Sequence, residues 1–173
     1  MAEVQMSAMS DTKSAKANLK HLKKSEGKFG VEGGPRGDNL FIWDVKLNDF
    51  DPKTKLAKDL KIYAKKYKKT EAISLEMKFP KDYPMSPPFV RVISPRFKFL
   101  TGHITIGGSI CMQLLTKSGW RPANDIESIL IQIRCEIMSD PNAQLDYDAD
   151  KEYDEVAARQ AFERMVMRYG WNK

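Results

Sequence analysis

The chain has 173 residues, 42% of them hydrophobic and 30% charged, which is the size and composition of one folded domain rather than of a disordered segment. No stretch approaches the roughly 20 apolar residues of a membrane-spanning helix, and the opening MAEVQMSAMSDTK lacks the apolar run of a secretory signal, so a soluble protein of the cytoplasm or nucleus is expected. Two cysteines and two histidines exclude a disulfide framework and leave no zinc-ligand spacing; a net charge of +6 without interleaved aromatics or an RNA-binding signature suits an acidic protein partner better than nucleic acid.

Residues 1–10 are small and polar without periodicity and are expected as a flexible tail ahead of a domain over 11–173. Ser10-Asp11 offers an N-cap to AKANLKHLKK, in which Ala15, Leu19 and Leu22 share one helical face and the lysines take the other. Glycines between Gly27 and Gly37 leave room for one short strand near 28–32 and a reversal. Phe41–Leu47 and Ala72–Phe79 alternate as half-buried antiparallel strands and are expected to pair, with Ile73, Leu75, Met77 and Phe79 on one face. Between them, Leu56, Leu60, Tyr63 and Tyr67 keep helical spacing among lysines, which predicts an inserted basic helix within 49–70.

Pro80 to Pro88 cannot lie in the middle of a sheet, whereas Phe89–Ile93 reads as one more strand, stopped by Pro95. From Pro95 to Pro122 periodicity is lost and Gly102, Gly107, Gly108 and Gly119 appear; a long irregular segment in a compact domain is usually functional. Asn124-Asp125 caps a helix with one apolar stripe of Ile126, Ile129, Leu130, Ile133 and Ile137 and a second of Ile131, Cys135 and Met138. That pattern predicts a helix buried between layers, with Cys135 as core filler. After Asp140-Pro141-Asn142, residues 152–169 read as a surface helix burying Val156, Phe162, Met165, Val166 and Tyr169, and Gly170 stops it. The order of elements is that of an α+β fold.

Cys111 is the first candidate for chemistry, because it follows Ile106-Gly107-Gly108-Ser109 in the irregular segment, where glycine permits close approach. Local composition leaves two readings open, a reachable nucleophile and a buried thiol. His103 is the histidine nearest to it in sequence, and a cysteine hydrolase using Cys111 and His103 as nucleophile and base is a further reading. The glycine-rich spacing between them does not define their orientation.

Several segments then match a known family in order. Gly34-Pro-Arg-Gly-Asp-Asn-Leu-Phe-Ile-Trp43 resembles the turn-and-strand entry of ubiquitin-conjugating enzymes, and Phe79-Pro-Lys-Asp-Tyr-Pro-Met-Ser-Pro-Pro88 their FPxxYPxxPP loop. Gly108-Ser-Ile-Cys111 resembles the active-site run, Trp120-Arg-Pro-Ala123 the W-x-P-A loop, and Ser139-Asp-Pro-Asn142 the DPN turn after the central helix. CMQLLTKSGW, LAKDLKIYAKKYKK, PPFVRVISP and the closing YGW are similar to the Q-type branch, whose members often carry a large N-terminal extension; this chain looks like the catalytic domain.

The resemblance implies a UBC-like fold: a four-stranded antiparallel meander flanked by an N-terminal helix, a central buried helix and C-terminal helices. It implies that Cys111 accepts ubiquitin from the activating enzyme as a thioester and passes it to a substrate or ligase, with no cofactor bound and ATP used only by the activating enzyme. Asp140 matches the family's gate residue near the cysteine, which acts on the incoming amine. Lys13 and Lys16 on the first helix correspond to the docking site for the activating enzyme, and Met85, Pro122 and Ala123 to the groove for a ligase. Where most of the family has His-Pro-Asn, this chain reads Thr101-Gly102-His103. An imidazole donates a hydrogen bond as an amide does, and also titrates near neutral pH, so acceptors other than lysine come into view. A non-catalytic binder of the same fold is the alternative, against which the retained cysteine argues.

Overall fold

The computed structural model describes residues 2–172, with side chains described from residue 12 onward. Helix α1 spans Ala2–Lys24 and so starts ahead of Ser10-Asp11; the expected tail over 1–10 concerns Met1 and side chains that lie outside the described residues. Ala15 and Leu22 are buried and Lys13 and Lys16 exposed, the two faces expected from their spacing.

The sheet is an antiparallel meander in the order β1-β2-β3-β4, with β1 at Val31–Arg36, β2 at Asn39–Leu47, β3 at Ile73–Lys78 and β4 at Phe89–Ser94. The first strand lies further along than the expected 28–32 and takes in Gly33, Gly34 and Pro35. An edge strand tolerates proline because one side of its backbone has no ladder partner. β2 and β3 pair as expected, Trp43 opposite Met77 and Val45 opposite Leu75. Between them lies the inserted helix α2 (Lys55–Tyr67), capped by Thr54, whose hydroxyl accepts from the Ala57 amide at 3.2 Å, and burying Leu56, Leu60 and Tyr63.

After β4 come a short β5 (Arg96–Phe97), the irregular segment with one 3₁₀ turn at Gln113–Leu115, helix α3 (Ile126–Ser139), a short β6 (Leu145–Asp146) paired with β5, and helix α4 (Glu155–Tyr169). Asp125 caps α3 through the Ser128 amide and Asp154 caps α4 through the Ala157 amide. Ile126, Ile129, Leu130, Ile133 and Ile137 of α3 join the inward residues of the sheet in one core. Burying a side chain of this size contributes about 1.5–3 kcal/mol, so this stripe is what fixes α3 against the strands. Asn18 ties α1 to the assembly by donating to Tyr83 Oη at 2.9 Å and accepting from the Ile126 amide at 3.2 Å.

Two further expectations are corrected. Cys135 is exposed, because the second stripe of α3 turns away from the sheet; Ile131 and Met138 beside it are only half-buried. On α4 the buried side is Ala158, Ala161 and Met165, with Phe162 and Val166 half-buried, whereas Val156 is 62% and Tyr169 57% exposed. Ala158 is small where the first turn of α4 lies against the backbone of Gly107. A single helix follows α3 among the described residues. The outer side of β3 is also not simply solvent-facing: Glu76 is buried in salt bridges with Arg36 and Arg91, at 2.7 and 3.1 Å.

Candidate active site

Cys111 and His103 come together through a hairpin that their spacing alone does not reveal. Thr105 donates its amide to the Ser109 carbonyl at 2.9 Å, Ile104 bridges Ile110, and Cys111 donates its amide to the His103 carbonyl at 2.8 Å. Cys111 and His103 are therefore cross-strand neighbours. The turn is locked by the Thr105 and Ser109 hydroxyls, 2.7 Å apart. One arm of the hairpin lies along the free edge of β4: the Val92 amide donates to the Gly108 carbonyl and the Ile110 amide to the Val90 carbonyl. The sheet edge thus sets the position of the cysteine.

The two glycines before it have a packing cause. A Cβ on Gly107 would lie 2.3 Å from the Ala157 carbonyl oxygen of α4, and one on Gly108, whose φ is +95°, would lie 2.4 Å from the Tyr153 ring. Tyr153 is itself held by donation from the Phe97 amide to its hydroxyl and from Arg91 to its carbonyl, both at 2.9 Å. The start of α4 is therefore pressed directly onto the turn that carries the cysteine.

Cys111 is half-buried and lines an open cleft of about 810 Å³ between the hairpin and α4. Burial pushes its pKa above the ordinary cysteine value, and the negative charge of Glu136 pushes in the same direction. His103 lines the same cleft in a left-handed backbone conformation, φ 58°. Its Nε2 lies 3.4 Å from Ser139 Oγ and 3.8 Å from a Glu136 carboxylate oxygen. The ring is thus turned toward the end of α3, and among the described residues it makes no hydrogen bond to the sulfur.

Asp140 follows α3 as its C-cap and also lines the cleft. Both its carboxylate oxygens accept backbone amides, from Gly102 at 2.7 Å and from Asn142 at 2.8 Å. It therefore braces the start of the hairpin against the end of α3. The sequence did not single out Arg164 and Arg168, which line the same space, or Glu136, which stands 3.8 Å from His103 Nε2. Their proximity depends on α3 and α4 converging on the hairpin, and no local pattern encodes that.

The remaining candidates lie elsewhere. Met85 is 69% exposed, and Pro122 and Ala123 are exposed as well. Their two loops are joined by Trp120, whose Nε1 donates to the Pro84 carbonyl at 2.7 Å, so Met85 and the Pro122-Ala123 segment belong to one surface. Lys13 and Lys16 are exposed on α1, the helix whose Asn18 donates to Tyr83 Oη two residues before Met85. Among the described residues no group of three or more His, Cys, Asp or Glu side chains gathers to hold a metal, and no helix is long and apolar enough to cross a membrane.

Similarity to known proteins points the same way as this geometry. The family model described as "Ubiquitin-conjugating enzyme" matches residues 15–169. Among curated relatives, ubiquitin-conjugating enzyme E2 Q1 of Mus musculus and of Homo sapiens is 37% identical over 138 residues, covering 78% of this chain and 32% of the relative. The chain therefore spans about a third of the length of those relatives. A shorter Q-like ubiquitin-conjugating enzyme of Mus musculus is 34% identical over 139 residues, covering 78% of this chain and 82% of the relative. Among solved structures, a ubiquitin-conjugating enzyme E2 of Plasmodium falciparum has a TM-score of 0.55 at 20% identity, covering 71% of this chain and 80% of its own, a likeness that bears on fold alone. Human ubiquitin-conjugating enzyme E2 G1 has a TM-score of 0.53 at 21% identity, covering 71% and 90%. A meander flanked by α1, α3 and α4, a cysteine held at the sheet edge, and a family match over nearly its whole length place this chain in the ubiquitin-conjugating enzyme family, in its Q-type branch.

Proposed function

We propose that this domain carries ubiquitin as a thioester on Cys111 and transfers it to a nucleophile entering the cleft between the hairpin and α4. The observation that supports this most is the hairpin itself, which holds a half-buried thiol in the lining of an open cleft. In the first step the Cys111 thiolate attacks the carbonyl of the thioester on the activating enzyme, and the sulfur of that enzyme leaves. In the second an acceptor attacks the new thioester, giving up its proton, and Cys111 leaves as thiolate. The raised pKa of the thiol acts on both steps. It lowers the resting thiolate fraction, and it makes Cys111 a poorer leaving group, which protects the carried ubiquitin from indiscriminate attack.

His103 and Asp140 are the supporting polar groups in this reading. His103 offers an imidazole N–H to the oxyanion or the entering nucleophile, in place of an amide side chain. Asp140 acts by holding the Gly102 amide and hence the His103 strand, rather than as a free carboxylate. Lys13 and Lys16 are the proposed contacts to the activating enzyme, and Met85, Pro122 and Ala123 those to a ligase. The cytoplasm or nucleus is the proposed compartment, and hydroxyls and N-terminal amines are proposed acceptors beside lysine.

The test is single-turnover kinetics with the activating enzyme, ATP and ubiquitin. His103→Ala is expected to charge at the normal rate but to discharge to lysine, threonine and N-terminal amine acceptors about tenfold more slowly, the worth of one well-placed hydrogen bond. Equal discharge rates would reduce His103 to a structural role. Discharge to lysine alone would overturn the broader acceptor range, and turnover of ubiquitin thioesters without activating enzyme or ATP would favour the hydrolase.

A further inference from the structure

The Cys111 cleft has one wall whose charges are unspent. The acidic and basic side chains lining it are Asp140, Arg164 and Arg168, with the imidazole of His103. Asp140 is occupied by two backbone amides, and His103 is turned toward Ser139 and Glu136. Arg164 and Arg168 stand one helical turn apart on α4 and are exposed, and their side chains form neither an ion pair nor a hydrogen bond with any described residue. On another side of the same helix Arg159 is fully engaged, bonded to Glu155 at 3.1 Å and stacked 4.2 Å from the Phe89 ring centre. The helix thus pairs its arginine beside the sheet and leaves the cleft-side guanidinium groups without partners.

The same cleft has an apolar rim. Phe99, Leu100 and Ile106 are each about two-thirds or more exposed, at 68%, 76% and 66%, and Tyr169 stands beside Arg168 at the end of α4. Exposed apolar side chains and unpaired guanidinium groups around a half-buried thiol are together complementary to a segment with an apolar residue and carboxylates.

We propose that the α4 wall is an acceptor subsite, in which Arg164 and Arg168 select polypeptide segments carrying Asp or Glu next to the nucleophile that attacks the Cys111 thioester. This deepens the reading of Cys111 as thioester carrier and rests on it. The occupant is the acceptor rather than a ligase because the wall borders the cleft of the sulfur itself, whereas Met85, Pro122 and Ala123 belong to loops that do not line this cleft. Each carboxylate pairs with one guanidinium in a planar, bidentate geometry that lysine does not reproduce.

Two acceptor peptides test it, identical except that Asp and Glu in one are Asn and Gln in the other. With the charged protein at low ionic strength, the acidic peptide is expected to be consumed about fivefold faster, from two exposed charge pairs. The preference shrinks as salt screens it. In R164E/R168E the acidic-to-neutral ratio falls below one, whatever the absolute rates, while in R164K/R168K it is partly kept. Binding of the same peptides to the uncharged protein, followed by NMR shifts around Arg164, Arg168 and Tyr169, shows the same order independently of thioester formation. Equal rates and equal binding for the two peptides in the unaltered protein, or a preference that survives R164E/R168E, would overturn the subsite. Failure to charge, with acidic peptide still bound preferentially, would instead overturn the thioester reading and leave an anionic-segment site.

Discussion

At Cys111 two influences act on one sulfur in the same direction: burial in the cleft, then the charge of Glu136 on α3. Both disfavour the thiolate, so its fraction grows only as pH rises past the ordinary cysteine range. Alkylation by iodoacetamide should therefore reach its half-maximal rate above that range. Removing the charge in Glu136→Gln lowers the folded-state pKa and moves the midpoint to lower pH, making Cys111 more reactive at neutral pH. Peptide mapping separates it from Cys135, which is exposed. A midpoint unchanged by Glu136→Gln would show that burial alone sets the thiol. Neither cysteine's environment was legible locally. Cys135 sits in an apolar helical stripe yet reaches solvent, and Cys111 sits among glycines yet is half-buried.

Among the elements, α4 has a structural role that its amphipathic pattern does not disclose. Large apolar residues at Val156 and Tyr169 pointed to a buried side, but the inward face is Ala158, Ala161 and Met165, because the helix backbone lies against Gly107. Gly107→Ala forces a methyl to within 2.3 Å of the Ala157 carbonyl, so the hairpin or α4 must shift. The expected loss is about 1–3 kcal/mol, typical of overpacking, at roughly 2–4 °C of Tm per kcal/mol for a domain of this size. Cys111 alkylation should accelerate as the cleft loosens. A Tm within about 1 °C of the unaltered protein, well under the smallest shift on that scale, would mean that α4 is not clamped on the turn. The strands, by contrast, were legible: alternation identified β2 and β3 and their pairing, since one face is buried and period two is the only arrangement that satisfies it. The boundaries of β1 were not, because glycine and proline read as a turn while an edge strand accommodates both.

For the molecule as a whole, ordered motifs and elements carry the α+β fold, whereas the site depends on three segments distant in sequence. The hairpin supplies Cys111 and His103, the end of α3 supplies Glu136, Ser139 and Asp140, and α4 closes the cleft with Arg164 and Arg168. The core stripe of α3 and the close approach of α4 are what bring them together. The most direct test of the account is the intact mass of the protein after incubation with activating enzyme, ATP and ubiquitin, followed by reductant. One reductant-sensitive ubiquitin is expected per chain, retained in Cys135→Ser and absent in Cys111→Ala. No adduct with a competent activating enzyme, or an adduct that survives Cys111→Ala, would contradict the assignment of Cys111 as thioester carrier.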